Sequence, residues 1–252
     1  MAESGYDACR MTDLERDELI DPLERALVIF SHPDDAEFGA APTIAALTAA
    51  GARVDYVVTT DGGKGTEDPS MTPERLAATR VAEQRAAADV LGVREIVHLG
   101  YPDGYLQPSL ELRRDLVRQI RRFRPDLVIA QNPQRRTDGN PFIAHPDHLA
   151  TGEATLAAIY PAARDRLNFP ELLDEGLEPW KVAQVLVSGV ERTNLWVDIT
   201  STYETGLAAL RCHVSQVSDW AAVEERMAER ARAAGAEVGL PMAQAFLSIL
   251  MT

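Results

Sequence analysis

The stretch ALVIFSHPDDAEFG, residues 26–39, runs from five apolar residues into one histidine and three carboxylates. An apolar run this short, without polar alternation, reads as a strand covered on both faces. Pro33 suits the first turn of a helix, and Asp34 and Asp35 suit its positive end. A strand that feeds a helix directly is the repeating corner of a parallel sheet. The same texture returns at VDYVVTT (54–60), EIVHLG (95–100) and DLVIAQN (126–132). Segments with helical spacing lie between, at Phe38–Ala50, Pro73–Leu91 and Ser109–Phe123. In the second, Leu76, Val81, Ala88 and Leu91 share a face, and Gly92 stops the helix. Alternating strands and helices give an α/β fold, a Rossmann-like, mostly parallel sheet flanked by helices with right-handed crossovers.

Downstream, an Ala-rich helix is expected over Pro146–Ile159, then a less regular stretch holding Pro161, Pro170 and Pro179. The runs KVAQVLVSG (181–189) and LWVDIT (195–200) read as a C-terminal strand pair, followed by a helical tail from Ser201 to Ala234. One domain spans 1–252, with an N-terminal extension over 1–24 and a C-terminal element, a cap or an oligomerisation surface, over 201–252. Open α/β sheets bind ligands beyond the carboxyl ends of their strands. The loops at that edge hold His32–Asp35, Asp61–Asp68, Tyr101–Gly104 and Gln131–His148.

The chain of 252 residues carries 39 acidic and 25 basic residues, a formal net charge of −14. That balance argues against nucleic acid or an anionic membrane surface as the main partner. The one basic run, RQIRRFR (118–124), reads as cations near the C-terminal end of a helix dipole. Two cysteines, Cys9 and Cys212, are too few for a disulfide framework and suit a reducing compartment. The charged N-terminus has no apolar core of a signal peptide, and no stretch approaches the roughly 18 apolar residues of a membrane span. A soluble, cytoplasmic protein is expected.

Three of the five histidines fall in two copies of His-Pro-Asp, HPDD at 32–35 and HPDH at 145–148. Both copies suit a helix start. Two adjacent carboxylates beside a histidine nevertheless exceed what capping needs, because like charges this close raise each other's cost of ionisation. His145 and His148 stand three apart on a helical first turn, so both rings can face one region. Histidine nitrogen with carboxylate oxygen suits zinc. Three ligands drawn from His32, Asp34 or Asp35, and His145 or His148 make a His₂-carboxylate set, and the remaining groups become base and acid. The loop DGGKGTED matches no phosphate-binding pattern and reads as a mobile loop beside the site. His98 reads as structural, and His213 as a residue on a downstream helix. No Gly-x-Ser-x-Gly occurs, and Cys212 and His213 point to different faces of that helix.

These segments resemble the LmbE-like (PIG-L) family of zinc-dependent N-acetylglucosaminyl deacetylases. The resemblance is carried by HPDDAEFG, by Thr59-Thr60-Asp61-Gly62 and by the Arg80–Gly92 pattern RxxExxxAAxxLG. LGYPDGYL (99–106), HPDH and the late HxSQ at His213–Gln216 complete it. The resemblance implies that His32, Asp35 and His148 are the ligands of Zn2+, another divalent ion such as Fe2+ also being compatible. It implies that Asp34 is the general base, and that His145, oriented by Asp147, stabilises the oxyanion or protonates the leaving amine. Arg80 and Asp103 are the implied substrate contacts, the partner a small amino-sugar conjugate, and the assembly a homo-oligomer. Where the family has Gly-Gly-Thr after the first motif, this chain has Ala41-Pro42-Thr43. A metal-dependent phosphoesterase and a non-catalytic metal- or sugar-binding protein are the competing readings. The first would need basic residues in the site loops, of which Lys64 is the plainest.

Overall fold

The structure, a computed structural model, describes residues 17–135 and 143–251. Cys9 and residues 136–142 lie outside them. In chain order the elements are β1 (Arg25–Phe30), α1 (Asp35–Ala49), β2 (Arg53–Thr60), α2 (Pro73–Leu91), β3 (Glu95–Tyr101), α3 (Leu110–Phe123) and β4 (Leu127–Gln131). There follow α4 (Pro146–Ala157), a kinked segment over Ala158–Ala163 in which Tyr160 is extended, α5 (Glu171–Asp174), β5 (Gln184–Ser188), β6 (Leu195–Asp198), α6 (Tyr203–Leu210), α7 (Trp220–Ala236) and β7 (Ala243–Leu250).

Seven strands form one sheet in the order β3-β2-β1-β4-β5-β7-β6. The first five are parallel, with Val28 of β1 opposite Tyr56 on one side and Ile129 on the other. β1 shows why its sequence is continuously apolar. Ala26, Val28 and Phe30 enter a core with Ala40, Ala41 and Ile44 of α1. Leu27 and Ile29 enter the opposite core with Leu116 and Ile120 of α3 and Ala150 and Ala154 of α4. Successive strand residues face opposite ways, so a strand between two helical layers has no solvent face to mark with polar residues.

Three features differ from the expectation. The two C-terminal strands read from sequence, β5 and β6, are not neighbours: β7 lies between them, antiparallel to both. The helical tail breaks after Leu210, and His213 sits in the turns before α7, buried, and not on a helix. On α2, Val81 is exposed, and the buried face instead carries Arg80 and Gln84 between Leu76 and Ala88.

Pro42 falls inside α1. Pro42 has no N–H to offer the Phe38 carbonyl, and beside it Gln244 of β7 bridges the next helical pair, Gly39 and Thr43. Its side-chain N–H donates to Gly39 O (3.3 Å), and its oxygen accepts from the Thr43 N–H (3.1 Å) and hydroxyl (2.6 Å). Gly206 of α6 packs against the Pro42 ring so closely that a Cβ there would lie 2.6 Å from it. The Ala-Pro variation is thus accommodated by partners far along the chain. The basic run is also absorbed internally. Arg121, 1% exposed, donates to the carbonyls of Ala162, Ala163, Asp165 and Asn168, and Arg122 pairs with Glu95 at 2.7 Å. Among the described residues, no helix is long and apolar enough to cross a membrane.

Candidate active site

The order of strands reverses between β1 and β4, since β2 and β3 extend the sheet one way and β5 the other. A crevice opens beyond the carboxyl ends at such a switch point. β1 delivers HPDD there, β4 ends on Gln131, and the start of α4 delivers HPDH. All eight residues expected at the site come to this edge.

His32, Asp35 and His148 converge. His32 Nδ1 lies 3.2 Å from an Asp35 oxygen and 3.2 Å from His148 Nε2, and His148 Nε2 lies 3.2 Å from the other Asp35 oxygen. Two ring nitrogens this close compete for one proton. A divalent cation between them and the carboxylate would satisfy all three lone-pair donors at once, so the residues present fit a metal. Two wider groups, His32 with His145 and His148, and His32 with Asp103, His145 and Asp147, also hold potential ligand atoms within 4.8 Å of one another. The far side of the His32 ring meets acid. Its Nε2 is 3.1 Å from Asp103 and 3.2 Å from Asp147. Burial would lower the pKa of His32, but Asp103, Asp147 and Asp35 outweigh it and raise it to about 12. Burial would raise that of Asp35, yet His148 and His32 hold it well below the usual carboxylate range.

Asp34 is set differently from Asp35. It takes φ 102° and ψ −27° as the N-cap of α1, a backbone that non-glycine residues rarely adopt. The turn carries its carboxylate to Arg80, 3.2 Å away. Burial, and then the charge of Asp35, raises the Asp34 pKa to about 7 against the pull of Arg80. Its N–H donates to Gln84 (3.0 Å), and Gln84 donates in turn to both oxygens of Glu37 (3.0 and 3.1 Å). Glu37 is 1% exposed and also meets the Tyr56 hydroxyl (3.2 Å) and His213 Nε2 (3.1 Å). His213 therefore stands behind Asp34, one layer from the crevice.

His145 caps α4. Its Nδ1 accepts the Asp147 backbone N–H at 3.2 Å, which leaves its ring proton on Nε2. Burial, and then His32, lowers its pKa. The carboxylate of Asp147 stays 3.9 Å from His145 and is instead held by the N–H groups of Gly104 (2.7 Å) and Leu106 (3.2 Å) beside His32. Asp147 thus orients His145 through its main chain and His32 through its side chain. Arg80 and Asp103, expected to meet substrate, turn inward. Arg80 donates to Pro33 and Gly62 carbonyls, while Asp103 accepts from His32 and from the Lys64 N–H (3.0 Å). The DGGKGTED loop does lie beside the site. Lys64 donates to the Asp103 carbonyl and stands 3.2 Å over the Tyr105 ring, so its charge is already engaged.

Glu37, Gln84 and Gln131 stand at the site without being expected there from the sequence. Glu37 lay inside the first motif, and a carboxylate on the buried side of a helix start was the signal. The two glutamines gave none.

The family model for GlcNAc-PI de-N-acetylases, PIG-L, matches residues 27–159, which contain every expected site residue. A diacetylchitobiose deacetylase of Thermococcus kodakarensis is 33% identical over 204 residues, covering 81% of this chain and 74% of that protein. The chain belongs to the PIG-L family. A 1D-myo-inositol 2-acetamido-2-deoxy-alpha-D-glucopyranoside deacetylase of Kineococcus radiotolerans is 29% identical over 71% of this chain, and the chain spans 55% of its length. Among solved structures, the N,N'-diacetylchitobiose deacetylase of Pyrococcus horikoshii, complexed with an inhibitor, superposes with a TM-score of 0.84 at 33% identity, over 91% of this chain and 85% of that one. These PIG-L relatives are named for deacetylation, while β5 to β7, α6 and α7 fall outside the family model.

Proposed function

We propose that this chain is a metal-dependent hydrolase that removes the N-acetyl group from an N-acetylglucosamine-type amino-sugar conjugate. The observation that carries the reading is the convergence of His32, Asp35 and His148 at 3.2 Å beside a separately held Asp34. His32 Nδ1, His148 Nε2 and Asp35 would hold the ion, for which this donor set suits zinc. When bound, the metal supplies Lewis acidity that acidifies water and polarises the acetamide carbonyl.

The chain's own groups then divide the proton work. Asp34 takes a proton from the attacking water and returns it to the departing nitrogen as the C–N bond breaks, giving acetate and the free amine. A carboxyl raised to about 7 suits a base that must gain and lose a proton near neutrality. His145 donates its Nε2–H to the oxygen on which charge develops. Its Nδ1 already accepts a hydrogen bond, and this supports an oxyanion donor more than a proton-donating acid. The inward contacts of Arg80 and Asp103 favour positioning roles, on Asp34 and His32 respectively, over the substrate contacts that the resemblance implies.

The test is acetate release from a panel of N-acetylglucosamine conjugates, with phosphomonoesters as controls, on protein of measured metal content. Metal-dependent acetate release without phosphate release is the expected result. Phosphate release alone, or no divalent ion bound after reconstitution, would overturn the reading.

A further inference from the structure

Gln131 ends β4 in the floor of the crevice and is 5% exposed. Its side-chain amide can be oriented without ambiguity. The Ser31 backbone N–H donates to one end at 2.9 Å, so that end is the oxygen, and the Ser31 hydroxyl lies 2.7 Å from the same atom. The other end is therefore the NH₂ group, which donates to an Asp35 oxygen at 3.0 Å. That same oxygen accepts the His32 N–H at 2.8 Å and lies 3.2 Å from His32 Nδ1, so its two lone pairs are taken by N–H donors although it borders the ligand nitrogens. The second Asp35 oxygen carries neither bond and faces His148 Nε2 at 3.2 Å. Beneath them, Ser31, Thr151 and Thr59 form a buried hydroxyl chain with spacings of 2.8 and 2.9 Å. One hydroxyl has one proton. Because an amide oxygen only accepts, Ser31 spends its proton on Gln131, and the chain runs in one direction towards the amide.

We infer that Gln131 is the positioning residue of the metal site: with the His32 N–H it saturates one oxygen of Asp35 and presents only the other to the ion. The inference rests on the metal site proposed above. An acceptor already filled by two donors is a poor ligand, while its free partner keeps a lone pair directed at His148. Hydrogen-bonded supports of this kind set metal affinity through ligand orientation.

Zinc affinity of metal-stripped protein, measured by competition with a chromogenic chelator, tests this alongside thermal unfolding without metal. Gln131→Met keeps length and loses the donor, and Gln131→Glu keeps shape and sets carboxylate against carboxylate. Both are expected to weaken zinc binding by about 10–100-fold. Thr151→Val cuts the same hydroxyl chain at Ser31 without touching Asp35 and is expected to stay within about threefold of wild type, the lower range for one lost hydrogen bond. Wild-type affinity in Gln131→Met, or an equal loss in Thr151→Val, overturns the inference. Should the Gln131 variants not fold, the zinc-loaded wild-type structure decides. One Asp35 oxygen on zinc with the other on Gln131 supports the assignment, and both oxygens on zinc with Gln131 turned away overturns it. Wild-type protein that binds no zinc defeats the metal site itself, a result seen before any variant is made.

Discussion

Asp34 occupies a left-handed backbone position that costs a non-glycine residue about 1–3 kcal/mol, and Gln84 and Arg80 hold it there. The strain separates two adjacent aspartates that would otherwise compete for one ion. Asparagine tolerates positive φ, so Asp34→Asn is a cleaner probe than alanine. It is expected to fold, to bind metal at wild-type stoichiometry by elemental analysis, and to lose acetate release by about 10²–10⁴-fold. His148→Ala is expected to lose metal first. The reverse pattern would exchange the two roles. Both clusters were visible in the sequence because closely spaced charges demand a reason. Which nitrogen faces which oxygen was not, and neither were Gln84 and Gln131. A neutral amide costs little in most places, so only its neighbours reveal that it is committed.

At the scale of elements, the α1–β7 contact braces the helix next to Pro42 through Gly39 and Thr43. Gln244→Ala breaks bonds to Gly39 and Thr43 and should cost about 1–3 kcal/mol in urea unfolding, with metal affinity unchanged. The edge strand β3 carries His98, whose pKa burial lowers from 6.5. Between that lowered value and 6.5, the unfolded chain holds a proton at His98 that the folded chain refuses, so the contribution of this one group to stability falls as pH drops below 6.5. The stability difference between His98→Gln and wild type, measured by unfolding at about pH 7.5 and about 5.5, should move in the variant's favour at the lower pH, while His32 and Asp34, whose raised pKa values act the other way, are common to both proteins. An unchanged pH dependence would remove His98 from the account. β7 went unread because AQAFLSIL mixes small and polar residues. Ser248 is buried and Gln244 half-buried, each against a polar partner, so the strand lacks the apolar texture of β1 or β4.

For the whole molecule, β7 completes the sheet and does not merely cap it. Removing 241–252 takes out the strand between β5 and β6 and bares two edges. Such a chain is expected to aggregate, and a soluble, cooperatively melting product would show that the C-terminal element is dispensable. The proposed metal joins the β1–α1 corner to the start of α4, across the switch in strand order. Chelation should therefore lower the unfolding temperature as well as abolish activity, and added zinc should restore both, since an ion that binds only the folded chain stabilises it by mass action.

The sequence by itself determined the alternation of strands and helices, the edge of the sheet where chemistry collects, and the two His-Pro-Asp clusters. Each is written in local pattern: apolar runs, helix starts and charge density. Tertiary structure alone decided that β7 enters between β5 and β6, that Gln244 bridges the helix at Pro42, and that His213 and Glu37 stand behind Asp34. It also decided that Asp147 and Asp103 face His32. These are meetings between residues far apart in the chain, settled by how buried polar groups find partners, and no local pattern records them.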